Sequence, residues 1–184
     1  MRAAAAGAAA LAVLTGTGAG VAAARPVGAF DVGGAIEKEY DRAGGAAFFG
    51  NPTGPEFDAN GGKFQVFDRG SSIYWSVGTD AHAIGGLIRD KWGSMGWENS
   101  ALGFPLTDEA QAGKDGKARF NQFPGGVIFW SASTGAHPVW GSILGIWNGN
   151  NADRGRYGLP TSDEYDYNGG KAQDFQGGRI TWKP

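Results

Sequence analysis

Apolar residues in this chain fall into short bursts between glycines, and one arrangement of them returns three times. Ile36 and Tyr40, Ile88 and Trp92, and Ile143 and Trp147 are each spaced i and i+4. Residues so spaced share one face of a helix, so each pair predicts a short helix that turns an aromatic ring inward. Ahead of each pair stands a run with Val or Ile among small residues, at 29–34, 81–86 and 136–141. Such a run suits a strand or an extended edge. After each pair comes an apolar-Gly-x-Pro step: Phe49-Gly50-Asn51-Pro52, Leu102-Gly103-Phe104-Pro105 and Tyr157-Gly158-Leu159-Pro160. Glycine admits an unusual φ and proline locks its own, which predicts a fixed turn. Two apolar runs parted by glycine follow, 64–67 and 73–75 in the first copy, and read as a β-hairpin. The unit is extended segment, short helix, turn, hairpin.

The prolines of the three turns are 53 and 55 residues apart. Four residues beyond each stands a glutamate, Glu56, Glu109 and Glu164. Then come Phe67, Phe123 and Phe175, and after them Ile73-Tyr74-Trp75, Ile128-Phe129-Trp130 and Ile180-Thr181-Trp182. Counting from the extended segment, three units run at about 28–79, 80–134 and 135–184, as one domain over 25–184. One unit has too small an apolar face to fold alone, so neighbours must stack. If each extended segment pairs with the preceding unit's hairpin, the first would meet the last hairpin and close a ring without exposed edges. The expected fold is mainly β with short helices, three repeats in a closed, propeller-like, pseudo-symmetric arrangement.

Residues 1–24 read differently. Arg2 precedes an alanine-rich stretch centred on Leu11-Ala12-Val13-Leu14, and Ala22-Ala23-Ala24 ends it. That order is a secretory signal peptide, with cleavage expected after Ala24. Gly16, Gly18 and Gly20 interrupt it too often for a membrane anchor, so no membrane span is expected once the signal is removed. The formal net charge is −2, and losing Arg2 lowers it by one. A weakly acidic chain gives nucleic acid or an anionic membrane nothing to hold. Cysteine is absent, which removes disulfides, thiol nucleophiles and Cys-based metal sites.

The second turn spells LGFP, and its spacing to Glu109, Phe123, Gly126 and Phe129-Trp130-Ser131 resembles the LGFP repeat. The other two turns are variants, and the resemblance covers nearly all of 25–184. It implies a secreted, cell-wall-associated protein of the actinobacterial kind, where such repeats accompany mycolyltransferases and other cell-wall enzymes. There the repeats are similar to propeller-forming modules that hold the enzyme to wall carbohydrate. This chain has three copies where the family arrangement has five blades, and no catalytic domain beside them.

Little in the sequence points to catalysis. There is no Gly-x-Ser-x-Gly elbow and no His-Glu-x-x-His, and two histidines make a metal centre an unlikely design. His82 and His137 occupy one repeat position, where the first copy has Phe30, so packing is expected of them. No metal or other cofactor is expected. Glu56, Glu109 and Glu164 suit hydrogen bonds to free turn amides, or contact with sugar hydroxyls. Side chains alternate along a strand. If the isoleucines mark the buried side, Trp75, Trp130 and Trp182 are core, and Tyr74 and Phe129 are exposed platforms for a sugar ring. Trp97 and Trp140 lack counterparts in the other copies, which makes them ligand candidates too. The expected function is a non-catalytic module for cell-wall polysaccharide, arabinogalactan or peptidoglycan. The alternative is a module for cell-surface proteins, with a glycoside hydrolase built on the glutamates third.

Overall fold

The computed structural model describes residues 24–184, so the expected signal peptide lies outside the described residues save Ala24. The three predicted helices form as α1 (Gly34–Arg42), α3 (Gly86–Ser94) and α4 (Gly141–Asn148), with an extra short helix α2 (Gly45–Phe49) after the first. Their inward aromatics are as the spacing predicts: Tyr40, Trp92 and Trp147 are almost wholly buried. Two of these rings also hold the turn that follows. Tyr40 Oη donates to the Gly50 carbonyl at 2.8 Å, and Trp147 Nε1 donates to that of Gly158 at 3.0 Å. The motif glycines Gly50, Gly103 and Gly158 sit at φ 75°, 76° and 66°, where a side chain would be strained. In the first two copies the residue before the glycine, Phe49 or Leu102, is fully buried in the core.

Each hairpin gains a strand on its first side, and the first two hairpins gain one on the other side as well. Three residues beyond the turn pair with the hairpin as β3 (Phe57–Ala59), β7 (Ala110–Ala112) and β11 (Tyr165–Tyr167), strands that the apolar pattern does not announce. The hairpins are β4 (Gly62–Val66) with β5 (Ser71–Ser76), β8 (Ala118–Phe123) with β9 (Gly126–Ser131), and β12 (Gly170–Phe175) with β13 (Gly178–Trp182). The next unit's extended segment then adds antiparallel as β6 (Asp80–Gly85) or β10 (Gly135–Trp140). Two sheets therefore run β3-β4-β5-β6 and β7-β8-β9-β10, and the third is β11-β12-β13.

The ring is not closed. The first extended segment, β2 (Phe30–Val32), pairs with β1 (Arg25–Val27) and not with β13. Among the described residues the outer edge of β13 carries no strand. The physical reason lies in the lead-in: Arg25–Val27 supplies its own antiparallel partner, and Arg25 is anchored to Glu37 and Asp41 on α1.

Each helix is wedged between two sheets, giving three cores in a row. Ile36 and Tyr40 pack on Val27 and Val32 at one side and Phe67 and Ile73 at the other. Ile88 and Trp92 lie between Tyr74 and Ile84 of the first sheet and Phe123 and Ile128 of the second. Ile143 and Trp147 lie between Phe129 and Val139 of the second sheet and Phe175 and Ile180 of the third. The two middle sheets are consequently buried on both faces. This overturns the expected exposure of Tyr74 and Phe129, which are 4% and 6% exposed. Tyr74 meets Trp92 edge-on at 4.6 Å, Phe129 meets Trp147 the same way at 5.1 Å, and burial pushes the Tyr74 hydroxyl up to about 12. A strand with a helix on each face has no outer column.

Candidate repeated groove

A buried amide fastens each extended segment to the turn of its own unit. Gln65 Nε2 donates to the carbonyls of Asp31 and Gly54, Asn121 Nδ2 to Ala83 and Thr107, and Gln173 Nε2 to Pro138 and Ser162. All three amides are fully buried, and their carbonyl oxygens have no partner among the described residues. One residue further along, in the second and third units, an aspartate ties the turn to the helix of the preceding unit. Asp163 Oδ1 is 2.7 Å from His137 Nδ1, and its other oxygen takes Lys91 Nζ at 2.5 Å. Asp108 accepts from the Ala83 amide, lies 3.2 Å from His82 Nδ1, and meets Arg42. Burial works to raise both aspartates, but the hydrogen bonds from these donors hold them below the usual carboxylate range. The bond with Asp108 raises His82 in return. The histidines therefore carry a structural tie as well as packing. Where Phe30 replaces the histidine, Pro55 replaces the aspartate, a paired change that was visible in the sequence.

These fastenings open a groove beside each of the first two hairpins. The first is about 740 Å³ and is lined by Phe30, Pro55, Glu56, Lys63 and Trp75 together with the start of α1. The second is about 620 Å³ and is lined by the equivalent Asp108, Glu109, Arg119 and Trp130 with the start of α3. Lys63 and Trp75 are direct cross-strand neighbours, as are Arg119 and Trp130. Lys63 Nζ meets Glu56 at 2.6 Å, and Arg119 Nε lies 3.6 Å from Glu109. Burial raises the Glu109 carboxyl, opposed by the Arg119 charge. An indole, a carboxylate and a cation thus recur on one wall. In the third unit Glu164, Lys171 and Trp182 hold the same positions, with Lys171 turned to Asp166 at 2.6 Å.

A family model of the LGFP repeat matches residues 49–100, 102–155 and 158–184. The chain belongs to the LGFP repeat family. LGFP repeats are a cell-surface repeat family, and three of them in tandem suit a non-catalytic module. A search of curated proteins found no match to the chain.

Seen on this LGFP framework, the predicted site residues separate. Glu56 and Glu109 line separate grooves, each with a cation for partner in place of the turn amide expected. Tyr74 and Phe129 lie in the cores. Trp97 packs edge-on against Trp92 at 5.4 Å, and the Arg89 guanidinium sits 5.4 Å from its ring centre. Trp140 takes the strand position of Gly33 and Gly85 and packs on the second core. Trp75 and Trp130, expected in the core, are only half-buried and border the grooves, and Trp182 is 38% exposed. They do share the isoleucine face, but at its rim. The sequence reading missed the cations; a basic residue at the matching place in each copy, Lys63, Arg119 and Lys171, was the signal. Among the described residues no helix is long and apolar enough to cross a membrane.

Proposed function

We propose that this LGFP protein is an exported, cell-wall-associated module that binds wall polysaccharide in its repeated grooves without altering it. The observation that carries the reading is the recurrence of one constellation, Trp75-Glu56-Lys63 and Trp130-Glu109-Arg119, in two open grooves of ligand size. A sugar ring offers an apolar face to an indole and hydroxyls to a charged pair, and each groove supplies both. Weak equivalent sites at repeat spacing gain avidity on a polymer with repeats of its own. A hydrolase would need two carboxylates flanking one glycosidic bond. Here Glu56 and Glu109 stand in different grooves, each beside a cation, and Asp108 next to Glu109 is engaged by His82 and Arg42. Those arrangements support binding over cleavage.

The test is retention of residues 25–184 on insoluble arabinogalactan and peptidoglycan, with soluble fragments as competitor and released sugar assayed alongside. Saturable retention that competitor removes, and that Trp75→Ala and Trp130→Ala each weaken, is the expected result. Retention on neither polymer would overturn the reading and favour a protein partner, and released reducing sugar would overturn the non-catalytic part.

A further inference from the structure

The family match to the third repeat spans only 158–184, the hairpin half, whereas the first two matches also take in the strand and helix that follow a hairpin. Residues 30–42, ahead of the first match, form an equivalent strand and helix as β2 and α1. Their backbone is the same: Gly33 has φ −144° and ψ 169° before α1, and Gly85 has φ −145° and ψ 176° before α3. β1 pairs with β2 in the register that β5 uses for β6, so Arg25 lies opposite Val32 as Ser72 lies opposite Ile84. Three-residue β1 thus stands where a preceding hairpin strand would stand, while β13 is a hairpin strand whose outer edge is open among the described residues.

The side chains at this junction are matched in pairs. The strand residue opposite Val32, Ile84 or Val139 meets the helix residue one place beyond the buried isoleucine. Arg25 Nε donates to Glu37 at 2.7 Å, Arg89 Nε donates to Ser72 Oγ at 2.8 Å, and Val127 shares the third core with Leu144. On β13 the equivalent residue is Arg179, now turned to Asp174 at 2.7 Å. Of the three helix partners Glu37, Arg89 and Leu144, only Glu37 complements an arginine, and Asp41 beside it already accepts from Arg25.

We infer that β13 of one molecule takes the place of β1 on β2 of a second, with Arg179 bonding that copy's Glu37 and Asp41. Strand exchange of this kind satisfies the open edge with a partner whose register the chain itself uses twice. The contact is head-to-tail and joins unlike surfaces, so it builds either a ring or a run of molecules. Thr181 stands where Tyr74 and Phe129 pack in the internal junctions, so the exchange buries less apolar surface than they do and is reversible. This association goes beyond the carbohydrate reading and does not depend on it.

The chain has no cysteine, which makes disulfide trapping clean. Tyr74 faces His82 and Phe129 faces His137 across the internal junctions, so Thr181 of one copy should face Phe30 of the next. Chains of residues 25–184 carrying only Thr181→Cys or only Phe30→Cys are mixed under mild oxidation. The mixed dimer is expected at about ten times the yield given by Thr181→Cys with Asp31→Cys, whose thiol lies on the other strand face. Adding Arg179→Glu to the first chain should lower that yield, and Glu37→Arg on the second should restore it. Equal yields from the two cysteine pairs would overturn the strand exchange, and indifference to the charge reversals would overturn the Arg179–Glu37 match.

Discussion

Replacing Gln173 by leucine removes the amide that fastens the third extended segment to its turn while keeping most of its volume. Two carbonyls, those of Pro138 and Ser162, lose donors that stand 2.8 Å away in the native chain. Stranding a buried acceptor costs roughly 1–3 kcal/mol, and removing the already unpartnered Gln173 carbonyl returns one such penalty. The net loss is therefore about 1–3 kcal/mol, which lowers the Tm of a domain of this size by roughly 2–12 °C. Gln173→Glu is the sharper change, because a carboxylate sets further acceptors against both carbonyls. Its cost near neutral pH should reach about 3–5 kcal/mol, the range for an uncompensated buried charge. Burial raises the pKa of that carboxyl in the folded state. Relative stability is then fully present below the unfolded value of about 4.3 and is lost as pH rises through the folded value. Thermal melts of both variants at about pH 7.5 and pH 4 read the difference. A leucine variant as stable as the native chain, or a glutamate variant with no extra pH dependence, would refute the fastening argument.

Trp92→Ala opens a cavity between two sheets and should cost about 3–5 kcal/mol in urea unfolding, whereas Trp75→Ala, at a groove rim, should cost less than half as much. The aspartates held low, Asp108 and Asp163, contribute stability that is present above the ordinary carboxylate range and lost as pH falls through their folded values, so melts should drop on acidification. His82, raised by Asp108, contributes stability that is present below about 6.5 and lost as pH rises through its folded value. His82→Phe, which installs the residue that the first unit carries at this position (Phe30), should abolish that alkaline slope in a series of melts from about pH 5 to 9.

The repeat, its helices and its inward aromatics were legible because each rests on local spacing that three copies restate. Ile36 with Tyr40 and Gly50 with Pro52 need no distant partner to be recognised. What failed depended on stacking. Alternation along 73–75 correctly put Ile73 and Trp75 on one face, but it could not show that α3 would cover the other face and bury Tyr74. Nor could it show that a segment as short as Arg25–Val27 would take the partner place on β2 and leave the ring open. The groove was half legible: the glutamates show through their repetition, whereas the cations opposite the tryptophans, a lysine in the first and third copies and an arginine in the second, carry no such fixed letter. The amides Gln65, Asn121 and Gln173 hid for a related reason, since a polar residue in a hairpin reads as exposed until the neighbouring unit is laid against it.

The central claim is that equivalent grooves bind one polymer together, and it is tested most directly by the affinity of four chains for soluble arabinogalactan. They are the native residues 25–184, Trp75→Ala, Trp130→Ala and the double variant, compared by titration calorimetry with their melts as folding controls. The account predicts that each single variant keeps measurable binding at roughly a tenth of the native affinity or less, and that the double variant loses it. Native affinity in the double variant, with the fold intact, would contradict the account.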